Sequence, residues 1–117
     1  MVVITEAPPE VKIDAIGDLL WLAANILERD GWCRENYTRM DGTHCIVGAV
    51  REASPNPPRT IREEQELWHR IRKAIIVLDP DTLLRHVGTI ESWNDHRCPN
   101  QAMAIRVLRL AAEGEDV

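Results

Sequence analysis

The chain has 117 residues, of which 44% are hydrophobic and 28% charged, and its formal charge is −5. That length closes one hydrophobic core, and the balance is that of a folded chain, which excludes a disordered or fibrous protein. No apolar run approaches the roughly 20 residues of a membrane helix, and an acidic surface repels phosphate backbones, so neither a membrane nor a nucleic acid is an expected partner.

The acid excess is uneven: residues 1–58 carry 5 basic and 9 acidic side chains, residues 59–117 carry 9 and 10. Such a surface suits a basic partner. The opening MVVITEAPPE has neither the basic start nor the long apolar stretch of a signal peptide, so a cytoplasmic chain is expected. Three cysteines, Cys33, Cys45 and Cys98, form an odd set without an export signal, which argues against a disulfide framework.

Residues 1–12 read as an extended arm, because Pro8-Pro9 stop a helix. From Ile13 to about Arg29, apolar residues at 13, 16, 19, 20, 23, 26 and 27 recur in steps of three and four, which predicts an amphipathic helix ended by Gly31. Residues 32–43, with the turn dipeptide Asp41-Gly42, read as a hairpin or a loop. Thr43 is a cap candidate for a short helix from His44 to Ala53, in which Gly48-Ala49 lets another helix come close. Ser54-Pro55-Asn56-Pro57-Pro58 is a rigid connection within one domain.

Thr60, followed by Glu63 and Glu64, opens a second long helix. Its predicted apolar face is Ile61, Leu67, Trp68, Ile71, Ala74, Ile75 and Leu78, and its mixed Arg59, Arg62, Arg70, Arg72 and Lys73 read as a solvated face. Asp79-Pro80 ends it and suggests a short helix to about His86, with Asp79 as its cap. Thr89 caps another short helix, from Ile90 to Asn94. Asn100 starts the last, with Ala104, Ile105, Leu108 and Ala111 or Ala112 inside, and residues 113–117 form a frayed acidic tail. The predicted class is all-α, an irregular bundle of five or six helices over residues 13–112.

Chemistry-bearing residues concentrate in Gly31-Trp32-Cys33, Thr43-His44-Cys45 and Trp93-Asn94-Asp95-His96. The candidate cluster is therefore Trp32, Cys33, His44, Cys45, Trp93, Asn94, Asp95 and His96. A metal site is one reading, since thiolates and imidazoles suit zinc, but eleven residues separate Cys33 from Cys45 and small zinc modules use spacings of two to four. A cysteine nucleophile is a second reading, with a histidine as base and Asn94 or Asp95 orienting it. The preferred reading is structural: Trp32, Trp93 and the cysteines fill the core while Asn94 and Asp95 satisfy backbone groups of an irregular loop. No catalytic residue, metal or cofactor is assigned. Trp21, offset from the apolar stripe beside Leu20 and Leu22, is the candidate partner-binding residue.

In these motifs the chain resembles a small family of uncharacterised bacterial and phage proteins. The shared pattern is a hydrophobic helix running into Gly31-Trp32-Cys33, then Cys45-Ile46-Val47-Gly48-Ala49, then Trp93-Asn94-Asp95 before the final helix. It spans roughly residues 13–112. Where those proteins follow Trp-Asn-Asp with a Gly-Arg-Thr-like turn, this chain has His96-Arg97-Cys98-Pro99-Asn100. The resemblance implies domain bounds and no activity. The functional expectation is a small protein-binding or regulatory module, phage-encoded or accessory and acting on a host protein. The alternative is a small enzyme or a thiol or metal site around Cys33, Cys45 and Trp93-Asn94-Asp95.

Overall fold

Five helices follow one another along the residues described by the computed structural model, which are 14–55, 59–82 and 88–114. They are α1 (Ala15–Asp30), α2 (Ile46–Ala53), α3 (Ile61–Leu78), α4 (Ile90–His96) and α5 (Gln101–Glu113), with no strand among the described residues. The fold is all-α. The expected arm at 1–12 and the short helix expected to reach His86 fall wholly or largely outside those residues, as do positions 115–117. No helix among them is long and apolar enough to cross a membrane.

Local signals set most helix ends. Thr60 and Glu63 form a reciprocal capping box, Thr89 accepts from the backbone N–H of Ser92, and Asn100 accepts from that of Met103, which satisfies N–H groups that a helix start leaves unpaired. The second helix departs from expectation. It begins at Ile46, and its cap is Cys45, whose sulfur accepts from Gly48 N at 3.3 Å; His44 lies ahead of it in extended chain. At the other end of the molecule, α5 continues through Glu113, so that residue belongs to the helix and not to a tail.

The core lies where α1 meets α5 and α2, with α3 closing over α5. Leu20, Leu27, Ile46, Leu67, Ile71, Ile75 and Leu108 are fully buried, each worth about 1.5–3 kcal/mol of transfer free energy. Ile61 is 79% exposed, because it opens α3 beyond the reach of the other helices. On α5, Ala104, Leu108 and Ala111 are buried as expected, Val107 joins them, and Ile105 is only partly buried.

Two glycines mark close approaches. A Cβ on Gly17 would sit 2.7 Å from the Ala112 carbonyl oxygen, so that position lets α1 and α5 draw together. At Gly48 a Cβ would overlap the Tyr37 carbonyl. The neighbour that needs the space is therefore the backbone of the preceding loop, not another helix.

Arg70 corrects the solvated reading of the basic α3 face. It is buried; its guanidinium donates to the carbonyls of Ala111 (3.0 Å) and Ala112 (2.8 Å) and to both Asp14 oxygens (3.0–3.1 Å). It thus caps the end of α5, where the helix dipole is negative, and ties down the start of α1. Asp14 also caps α1 through Gly17 N, and the Arg70 bond holds its carboxyl below the usual range despite partial burial.

Candidate functional site

Residues 31–45 form an irregular loop built round His44. His44 N donates to Gly31 O and Cys33 N to His44 O, both at 3.0 Å, which pairs Trp32 with His44 in parallel. On the other side Arg39 N donates to Thr43 O and Cys45 N to Tyr37 O, pairing Thr38 with His44 in the antiparallel sense. The antiparallel bridge closes over the Asp41-Gly42 turn, where Gly42 N donates to Arg39 O, so the hairpin expected as one alternative for 32–43 is present only as a single bridged pair within a loop. The buried His44 ring is held between Thr38 Oγ1 (Nδ1, 2.8 Å) and Asp30 Oδ2 (Nε2, 3.0 Å). Arg29 and then His44 hold the Asp30 carboxyl well below the carboxylate range.

The Trp-Asn-Asp segment of α4 fastens this loop. Asn94 is fully buried, and all four of its hydrogen-bonding positions are filled. Its Oδ1 accepts from Trp32 Nε1 (2.7 Å) and Ile46 N (3.1 Å), while its Nδ2 donates to Cys33 O (3.1 Å) and Asp95 Oδ1 (3.0 Å). One amide therefore joins the loop's start, the first turn of α2 and α4. An amide has two acceptor and two donor positions, so none is left over for a ligand. Asp95 Oδ1 also accepts from Glu35 N at 2.8 Å.

Further ties run from the α4–α5 corner. Gln101 Oε1 accepts from Trp32 N, Arg34 donates to Cys98 O and lies 4.6 Å over the Trp32 ring, and Cys98 Sγ bonds Asn100 O. Trp93 is buried and donates to Asp79 Oδ2 (2.8 Å), which also receives a two-pronged contact from Arg97. Arg97 first, then Trp93, hold the Asp79 carboxyl below its usual range. The Asp79 carboxylate pins α4 and its backbone N–H closes α3, while the helix it was expected to cap lies largely outside the described residues.

The structure brings Trp32, Cys33, His44, Cys45, Trp93, Asn94 and Asp95 into this one region. His96 stands exposed at the end of α4. The three thiols are buried. Burial raises the Cys45 thiol, against the opposing pull of N–H groups of α2, and raises Cys98 to about 11. Among the described residues no group of three or more His, Cys, Asp and Glu side chains is arranged to hold a metal.

Beside the fastened loop lies a cavity of about 340 Å³ lined by Glu35, Asn36, Tyr37, Cys45, Glu91 and Asp95. Three carboxylates thus surround one phenol, whose oxygen donates to Glu91 Oε2 at 3.2 Å. Arg51 lies 4.1 Å over the Tyr37 ring. Glu35 holds φ at 70°, and no other non-glycine residue among those described has positive φ. The sequence reading contained Cys45 and Asp95 but missed the other four. A signal existed for Glu91, which stands one helical turn before Asp95 and so shares its face. Positions 35–37 lie in a loop without periodicity and carried none.

Trp21 lies elsewhere, on the outer side of α1. It is 50% exposed and Leu22 is 47% exposed, with the Arg109 guanidinium 4.3 Å over the indole.

A family model described as a family of unknown function (DUF6197) matches residues 13–114. No curated protein matches the chain, and no solved structure does.

Proposed function

The chain belongs to that family, and from the geometry of its loop and cavity we propose that it is a small cytoplasmic binding module whose partner is a protein, held by a basic segment in the acidic cavity. The observation that carries this reading is the lining: Glu35, Glu91 and Asp95 around Tyr37, in a volume of about 340 Å³. That volume lies at the small end of ligand sites and suits one or two side chains. Carboxylates in a concave wall attract an ammonium or guanidinium group, and Tyr37 already receives a guanidinium on its face from Arg51.

The backbone at Glu35 supports the same reading. A left-handed conformation costs a residue with a side chain about 1–2 kcal/mol, and glycine would avoid it. A glutamate there places a carboxylate at the cavity, and strained positions concentrate at functional sites. A thiol enzyme is the less favoured reading. His44 directs both ring nitrogens to Thr38 and Asp30, and Asn94 is saturated by structural bonds.

A second reading has its own observation: Trp21 and Leu22, both about half exposed, form an apolar surface on which a partner helix could anchor. One experiment separates the two. The tagged chain captures its partner from source-cell lysate, the partner is identified by mass spectrometry, and its affinity is measured by calorimetry against substituted chains. The cavity reading expects Glu35→Gln with Glu91→Gln to weaken binding tenfold or more, with affinity falling steeply as salt rises. Full affinity in that double variant, with loss in Trp21→Ala, would move the partner to α1.

A further inference from the structure

The pairing round His44 has a consequence for two thiols. Trp32 and His44 form a single parallel bridge whose last bond runs from Cys33 N to His44 O, and beyond it the Asn94 amide links Cys33 O to Ile46 N, so the register brings the next residues on, Cys33 and Cys45, toward each other. Side chains alternate along extended chain, so both thiols leave the pairing on the side opposite Trp32 and His44. Adjacent chains in such a pairing lie about 4.8 Å apart, inside the range of about 4.4–6.8 Å between the Cα atoms of a disulfide. Cys45 lines the cavity, whereas Cys98 sits at the α4–α5 corner and does not.

We propose that Cys33 and Cys45 are a dithiol site that a hydroperoxide oxidises to a disulfide, closing a ring round residues 34–44. With hydrogen peroxide the balance is complete. The Cys45 thiolate attacks the O–O bond and becomes a sulfenic acid, releasing hydroxide. The Cys33 thiolate attacks that sulfur, the S–S bond forms, the S–O bond breaks and a second hydroxide leaves. The sulfurs lose two electrons and the peroxide gains them, and the two thiol protons complete two waters. Gly48 N–H, 3.3 Å from Cys45 Sγ, favours the thiolate, but burial raises the thiol, so oxidation is slow at neutral pH and quickens as pH rises. The closed ring restrains Glu35, Asn36 and Tyr37, three of the cavity's lining residues. The site does not depend on what the cavity binds.

The test exposes the native full chain to hydrogen peroxide, alkylates the remaining thiols in denaturant and maps the peptides by mass spectrometry. The expected result is a fall from three free thiols to one, with Cys98 alkylated and a peptide joining Cys33 to Cys45. A small dithiol reductant restores all three. Cys98→Ala leaves the cross-link unchanged. Cys33→Ala abolishes it and leaves a sulfenic acid on Cys45 that dimedone traps. Should Cys33→Ala fail to fold, the peptide map of the unsubstituted chain decides alone. Three surviving thiols, over-oxidised single cysteines without a cross-link, or a cross-link through Cys98 would overturn the assignment.

Discussion

The packed sides of α1, α3 and α5 and the loop end of the molecule cohere by different physics. Among the three helices, leucines, isoleucines and alanines exclude water, and the free energy follows buried area with little demand on direction. At the loop end, single polar atoms do the holding: Asn94 joins residues 32, 33, 46 and 95, and Asp95 reaches residue 35. Area can be supplied by many side chains. A four-way hydrogen-bond junction can be supplied by few, because each lost partner leaves a desolvated group behind. The candidate cavity lies at the end that depends on direction.

The sharpest break is Gly48→Ala. The added Cβ meets the Tyr37 backbone oxygen, which cannot swing aside as a side chain could, and the expected loss is about 4 kcal/mol, among the largest for one substitution. Chemical denaturation measures it. Asn94→Ala follows at about 3–4 kcal/mol, since it strips partners from Ile46 N, Cys33 O and the Trp32 indole. Leu27→Ala in the apolar half costs about 3 kcal/mol by leaving a cavity. The two regions differ most clearly in their tolerance. Leu27→Met costs less than about 1.5 kcal/mol, whereas Asn94→Gln, with the same chemistry displaced by one carbon, loses most of what Asn94→Ala loses.

Acid sensitivity extends the contrast. Asp79 holds Trp93 and Arg97 with a carboxyl kept below its usual range. Its contribution is complete above the unfolded value, near pH 4, and is lost as pH falls through the lowered folded value. Asp79→Asn should therefore lower stability at neutral pH and flatten the decline in acid, read from urea unfolding across pH. Glu35→Gly is the mildest change. It relieves the left-handed strain and should raise stability by up to about 1 kcal/mol while weakening the partner, a gain and a loss in one substitution.

The same contrast governs what could be read from the sequence. Steps of three and four at residues 19, 20, 23, 26 and 27 revealed α1, and Thr60, Thr89 and Asn100 revealed three helix starts, because both signals are local and periodic. Arg70 looked like a solvated cation because its partners, Asp14 and Ala112, are 56 and 42 residues away in the chain. Cys45 as a cap and Gly48 as a seat for loop backbone were hidden for a similar reason: each depends on how an aperiodic segment folds back. The motif residues could be named in advance, but the cavity beside them could not, since Glu35, Asn36 and Tyr37 meet Glu91 and Asp95 only through that fold.

The most direct measurement is an amide chemical-shift titration of the full chain with a short arginine- and lysine-rich peptide, with a glutamate-rich peptide as control. The expected result is a saturable set of shifts concentrated at Glu35–Tyr37 and Glu91–Asp95, absent with the control and abolished by Glu35→Gln with Glu91→Gln. Shifts centred on Trp21 and Leu22, or spread evenly over the acidic surface without saturation, would contradict the cavity as the binding site.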